Sequence, residues 1–214
     1  MAWAPDYCTD VQLKSWLRIQ DAADDALLAV AITTASRTID GHCGRQFWKL
    51  SSPGATRYYT WDGAKVDCRN VLLIDDLQTV TDLTVQVDTD GDGDADVTLT
   101  NGTDFDFGPR NATADGLPWT RLQLRPNSPT AWPRTANAFI IAAQWGWTAV
   151  PSAVVQATLL LAAEIFARRN APFGVAGSPD LGSEMRLLAK VDPDVVRDLR
   201  RYVRSGLPGG WAAA

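Results

Sequence analysis

An α+β fold is predicted by the sequence, with a helical core formed by the N- and C-terminal segments and an antiparallel β-rich domain inserted between them. Three observations predict it. Apolar residues recur at helical spacing near both ends of the chain, whereas the middle consists of short alternating runs of β-branched and aromatic residues separated by Pro, Gly and Asn. The acid is also gathered in that middle: Asp75 to Asp115 holds eleven aspartates against one base, Arg110, in a chain whose net charge is −5. The expected division is a helical core over 1–50 and 148–204, an inserted β-rich domain over 51–147 and a flexible C-terminal tail over 205–214. At 214 residues and 46% hydrophobic content the chain is long enough to bury a sizeable core.

The first helix follows Thr9, which with Gln12 forms a capping box ahead of Val11, Leu13, Trp16 and Leu17. Asp21 is the expected cap of a second helix. There Leu28, Ile32, Ala35 and Ile39 form one stripe with Leu27 alongside, and Gly41 and Gly44 stop it. Strands are expected over Arg57–Trp61, Val71–Ile74, Leu83–Val87, Val97–Leu99, Arg121–Leu124 and Phe139–Trp147, the last carrying Trp145 and Trp147 on one face. Residues 111–119 and 126–133 read as loops.

After Pro151 the helical period returns. Ser152 is the expected cap, and Val155, Leu159, Ala162 and Phe166, with Val154, Leu161 and Ile165 beside them, describe a thoroughly buried helix ending near Pro172. Gly174 to Gly182 reads as a linker, and Asp192-Pro193 as the cap and first turn of a last helix. That helix turns Val195, Val196, Leu199, Tyr202 and Val203 inward and Arg197, Arg200, Arg201 and Arg204 outward. The tail holds Gly206, Pro208, Gly209, Gly210 and Trp211. It offers that indole no core, which makes Trp211 a candidate for ordering on a partner.

One stretch carries the signature of metal chemistry. In Asp88-Thr-Asp-Gly-Asp-Gly-Asp-Ala-Asp96 a carboxylate stands at every second position, so Asp88, Asp90, Asp92, Asp94 and Asp96 form a weak calcium candidate. Position twelve of the loop is Leu99, where the bidentate Glu belongs, and the flanks alternate as strands rather than helices. Pairing Val87 with Val97 and Val85 with Leu99 sets Asp88 opposite Asp96 and Asp90 opposite Asp94, so the tip must splay into water or hold a cation. The solvated acidic tip is preferred over a bound calcium, and no cofactor is expected.

Other chemistries have little support. The one histidine, His42, lies about 100° around its helix from Cys43, so the two do not form a base and nucleophile pair. No GxSxG, HExxH, P-loop or GxGxxG is present, and Glu164 and Glu184 are the only glutamates. No catalytic residue is assigned and an enzyme is not expected, although a metal-dependent nuclease built on the aspartates is the third reading weighed. Three cysteines without a CxxC spacing are expected to be reduced. The apolar run from Ala153 to Ala167 is too short to span a bilayer and no signal peptide is visible, so a cytoplasmic product without a membrane partner is expected.

The order of these pieces resembles the head-to-tail connector (adaptor) proteins of long-tailed bacteriophages, in the larger form whose helical core is interrupted by a β-rich insertion. The residues that carry the resemblance begin with Leu13, Trp16 and Leu17, Asp24-Asp25-Ala-Leu27-Leu28, Ala35, Ile39 and Cys43-Gly44-Arg45-Gln-Phe47. They continue through Asp104-Phe-Asp-Phe-Gly-Pro109, Gly116-Leu-Pro-Trp-Thr-Arg-Leu122 and Gln144-Trp-Gly-Trp-Thr-Ala-Val-Pro151. They end with Ala157, Leu160, Leu161, Ala162, Arg168, Arg169, Pro172, Gly174, Val175 and Asp192-Pro-Asp-Val195. The resemblance implies a non-enzymatic virion protein, assembled in the host cytoplasm and placed at the head-tail interface. It implies a homo-oligomeric ring of twelve subunits docked to the portal through C-terminal segments, which makes Trp211 and the arginine face of Arg197, Arg200, Arg201 and Arg204 the candidate partner interface. The ring would offer a surface to tail-side neck proteins while DNA passes through its lumen without sequence-specific binding. A calcium-stabilised binding module is the alternative.

Overall fold

The computed structural model describes residues 5–48, 54–66, 69–170, 175–176, 185–186 and 193–204. It has helices and antiparallel sheets in an α+β fold, and the chain divides into two units: Met1–Phe47 with Val150–Ala214, and Trp48–Ala149.

In the unit built from the chain ends, helix α1 (Asp10–Leu17) starts at the expected capping box. The Thr9 hydroxyl accepts from the Gln12 amide at 3.2 Å, and the Gln12 side chain takes the Thr9 amide at 2.8 Å. Helix α2 (Asp25–Cys43) is capped differently from expectation. Asp21 accepts from Ala23 N inside the preceding turn, and the N-cap residue is Asp24, whose carboxylate makes no cap bond because Arg169 holds it at 2.6 and 2.8 Å. Gly44, at φ 62°, ends the helix, while Gly41 is carried inside it. Leu28, Ala31, Ile32, Ala35 and Ile39 are buried as one stripe, but Leu27 points to solvent.

Helix α3 (Ser152–Ala167) packs against α2. Its N-cap is Pro151, so Ser152 is the first helical residue rather than the cap. The helix ends at Ala167, short of Pro172, and a 3-10 turn continues over Arg168–Asn170. Val154, Ala157, Thr158, Leu161 and Ala162 are buried, whereas Val155, Leu159, Ile165 and Phe166 are only half-buried, so the helix is less enclosed than its composition suggests. Helix α4 (Pro193–Leu199) and a 3-10 turn over Arg200–Tyr202 close the unit, with Val195, Leu199 and Tyr202 buried and Val196 and Val203 half-buried. Tyr7, Phe47 and Tyr202 form a row of edge-to-face contacts with centroids 5.7 and 5.8 Å apart, tying the two ends of the chain together, and Arg204 N reaches Cys43 O at 2.9 Å. Val175–Ala176, inside the expected linker, pairs as a short antiparallel ribbon with Met185–Arg186 beyond its end.

The other unit contains β1 (Ala55–Tyr59), β2 (Lys65–Val66), β3 (Arg69–Leu77), β4 (Thr84–Val87), β5 (Val97–Leu99), β6 (Phe105–Gly108), β7 (Trp119–Leu124) and β8 (Phe139–Ala143). They form two four-stranded antiparallel sheets, ordered β1-β8-β4-β5 and β2-β3-β7-β6. Val85, Val87, Leu99, Phe139 and Ile141 from the first sheet and Leu72, Ile74, Phe105, Phe107 and Leu122 from the second form one buried cluster, so each sheet hides one face, as period-two patterning requires.

Three strands differ from expectation beyond their exact bounds, the first being β2, a two-residue strand paired with β3 outside every expected run. The Phe-Asp-Phe-Gly run, outside the expected strands, forms β6 and buries Phe105 and Phe107. Strand β8 stops at Ala143, where a Cβ on Gly54 would stand 2.7 Å from the Ala143 carbonyl carbon. Trp145 and Trp147 therefore lie beyond the strand and are held by other means. Trp145 Nε1 donates to Ala55 O at 2.6 Å, Trp147 Nε1 donates to the buried Asp76 carboxylate at 2.9 Å, and Gly146 N donates to Asp76 O.

Candidate functional site

The acidic stretch is the tip of the β4–β5 hairpin, and its register is the expected one: Val85 pairs with Leu99 and Val87 with Val97. The tip itself is not a row of opposed, solvated carboxylates. Asp88 turns inward, is 4% exposed, and accepts from Gly91 N at 2.6 Å and Gly93 N at 2.9 Å. Gly91 and Gly93 can present those amides because their φ angles, 86° and 96°, are open to glycine. Asp90 accepts from Asp92 N, Asp92 from Asp94 N, and Asp96 from both the amide and the hydroxyl of Thr89, each at 2.7 Å. The loop is thus folded on its own carboxylates.

These bonds set the electrostatics. The Thr89 hydroxyl, then the Thr89 amide, hold the Asp96 carboxyl below the usual aspartate range. Asp90 is lowered by the Asp92 amide, but the charge of Asp92, then desolvation and the charges of Asp96 and Asp88, outweigh that bond and push it up. Asp88, Asp90 and Asp96 bring one carboxylate oxygen each to within 4.8 Å of one another, while Asp92 and Asp94 stay outside this group. Three such oxygens suit a hard cation, yet Leu99, at the position of the missing bidentate ligand, is buried on β5 and offers no oxygen.

The arginine face takes shape on the other unit. Arg197, Arg200 and Arg201 are exposed and Arg204 is half-buried. Arg197 lies 3.7 Å from Asp198, and the Arg201 guanidinium stands 5.3 Å from the Tyr202 ring centre. Trp211 lies outside the described residues, as does Cys68.

A second surface was not singled out in the sequence. Val11 is 70% exposed, Trp16 49%, Leu27 51% and Val30 64%, all on α1 and α2. The signal was available on α2, where Leu27 and Val30 fall out of step with the stripe of Leu28, Ile32, Ala35 and Ile39. Thr33 and Thr34 continue the exposed side without charge.

The thiols do not suit nucleophilic chemistry. Cys8 and Cys43 are free and buried, and burial pushes them up to about 11 and about 12, so both are neutral near pH 7. His42 sits in the last turn of α2, as expected. Among the described residues no helix is long and apolar enough to cross a membrane.

No protein-family model matches the chain, and no curated protein matches it. Among solved structures, the chain is similar to one from the neck of an empty GTA particle computed with C6 symmetry, with a TM-score of 0.53 and 20% identity over 95% of this chain and 93% of that one. It is also similar to one from the neck of a native GTA particle computed with C12 symmetry, with a TM-score of 0.50 and 20% identity over 94% of this chain and 90% of that one. At this identity the likeness is one of fold, and it extends over nearly the whole chain.

Proposed function

We propose that this chain is a structural subunit of a phage-like virion neck, an adaptor whose copies close into a ring between portal and tail while DNA passes through. The observation that carries the reading is the fold likeness over 95% of the chain to a neck component. A packed helical unit and a two-sheet unit are parts suited to being gripped by neighbours. A closed ring needs a heterologous contact, one face of each subunit complementing a different face of the next, and repeated faces of that kind also serve a portal on one side and tail proteins on the other.

In this reading residues 205–214, with Trp211, engage the portal, and Arg197, Arg200, Arg201 and Arg204 belong to a partner-facing surface. The acidic hairpin, set toward the conduit, repels phosphate and keeps DNA from adhering. Two measurements test the proposal. Negative-stain images of the purified assembly should show a ring, and deletion of 205–214 or Trp211→Ala should abolish docking to portal particles while the chain keeps its circular dichroism. Undiminished docking by both variants would remove the tail from the mechanism, and a chain that never assembles, alone or on portals, would remove the adaptor itself.

A further inference from the structure

The chain before α1 and the chain after α4 come to the same place on the helical unit, the C-terminal turn of α2. Lys14 pairs with Asp25 at the start of α2. Farther back along the chain, the Thr33 hydroxyl donates to Asp6 at 2.9 Å, Arg37 Nη2 donates to Pro5 O at 3.0 Å, and the Tyr7 hydroxyl meets Asp40 and the amide of Phe47. The N-terminal segment therefore runs toward the far end of α2. From the other side, Val203 is extended at φ −66° and ψ 128°, and Arg204 N donates to Cys43 O at 2.9 Å. That carbonyl is one of the last of α2, which a helix leaves without internal donors. Two edge-to-face ring contacts, 5.7 and 5.8 Å between centroids, lead from Tyr7 through the fully buried Phe47 to Tyr202. Exposed Arg200 and Arg201 stand on the same turn as Tyr202.

The two segments that continue from there are alike in composition. Met1-Ala-Trp3-Ala precedes Pro5, and Ser205-Gly-Leu-Pro-Gly-Gly-Trp211-Ala-Ala-Ala follows Arg204. Neither holds a charged side chain, and each sets one indole among Ala or Gly. At most about 7 Å of chain, at ~3.5 Å per residue, lies between Pro5 and Trp3. Neighbours as small as Ala and Gly leave both faces of an indole open to a partner, and Trp is enriched where one protein buries an anchor in another. With no base in either segment there is nothing to meet phosphate, so the partner that suits them is a protein face with apolar pockets of indole size. We infer that Trp3 is a second anchor on the partner that receives Trp211, so that the two segments dock as one surface at the C-terminal turn of α2. The inference rests on the reading above in which residues 205–214 engage the portal, and it adds a contact to that reading.

The test compares the full chain with Trp3→Ala, Trp3→Phe and Trp211→Ala by co-sedimentation with portal particles, and follows each protein through a melting curve. Trp3→Ala should weaken docking about tenfold while its melting midpoint stays with the parent, and Trp3→Phe, which keeps a flat apolar ring, should recover most of the loss. Undiminished docking by Trp3→Ala, with Trp211→Ala impaired, overturns the second anchor and leaves the tail reading standing. A lowered midpoint with docking intact places the Trp3 indole in the chain's own core and likewise overturns the anchor. Undiminished docking by both Trp3→Ala and Trp211→Ala removes the anchor and the tail together.

Discussion

Tyr7→Phe isolates one hydroxyl that joins the N-terminal segment to the last turn of α2 and to the chain just after it. Tyr7 Oη accepts from Phe47 N at 3.0 Å and donates to Asp40, whose other oxygen lies 3.3 Å from Arg37 Nε. The substitution keeps the edge-to-face contact with Phe47 but leaves a fully buried amide without its acceptor and a largely buried carboxylate without its donor. An unsatisfied buried amide costs about 1–3 kcal/mol and a hydrogen bond to a charged group is worth about 1.5–3 kcal/mol; Arg37 and residual solvent at Asp40 reduce the second, giving about 2–4 kcal/mol in all. The loss should depend on pH. Burial raises the Asp40 carboxyl, while the Tyr7 bond and the Arg37 charge hold it down. A carboxyl raised in the folded state gains stability as pH falls through its folded value, and the variant, lacking the Tyr7 bond, is raised further and gains more. The gap between the two proteins is therefore widest near neutrality and narrows on acidification. Urea unfolding followed by far-ultraviolet circular dichroism across that range measures it, and a loss below about 1 kcal/mol, or a gap that widens in acid, refutes the assigned network.

Arg169→Gln should lower stability modestly near neutral pH. The Arg169 hydrogen bonds hold Asp24 below its ordinary 3.8, so the contribution is present above 3.8 and disappears as pH falls through the lower folded value. Melting curves of the two proteins should converge in acid, and an undiminished difference there would assign the effect to packing. Asp88→Ala removes the acceptor of two loop amides, so hydrogen exchange at Gly91 and Gly93 should accelerate and the β unit should lose about 1–3 kcal/mol. Calcium against chelator should leave the unfolding midpoint of the parent chain in place, because Asp88 and Asp96 already anchor the loop and Leu99 supplies no ligand. An upward shift of several degrees would establish a tight site.

What was legible in the sequence is what local chemistry decides. The Thr9–Gln12 box, the buried stripe of α2 and the β4–β5 register each rest on residues within one element or on a strict period of two, and each is present. The misreadings lie where a tertiary partner competes with a local rule. Asp24 sits at the N-cap, yet its carboxylate goes to Arg169, 145 residues away, a preference no window around residue 24 contains. Phe105-Asp-Phe-Gly is short and ends at Pro109, so its strand depends on pairing with β7, a partner supplied by distant sequence. Alternation gives Asp88, Asp90, Asp92, Asp94 and Asp96 the same weight, so nothing local sets Asp88 apart from the other tip carboxylates. Only the fold shows it turned inward to hold two glycine amides.

Helix α3 separates two things that composition alone runs together. A helix apolar on nearly every side is one that ends up buried, and the natural reading is burial within its own chain. Among the described residues the helix buries Val154, Ala157, Thr158, Leu161 and Ala162 and leaves Val155, Leu159, Ile165 and Phe166 partly exposed, the last under the Arg169 guanidinium at 4.1 Å. The α1–α2 hairpin repeats the pattern with Val11, Trp16, Leu27 and Val30. In the proposed ring, apolar surface of this kind on two elements of one unit would be covered by a neighbouring copy, with no side chain required to do chemistry.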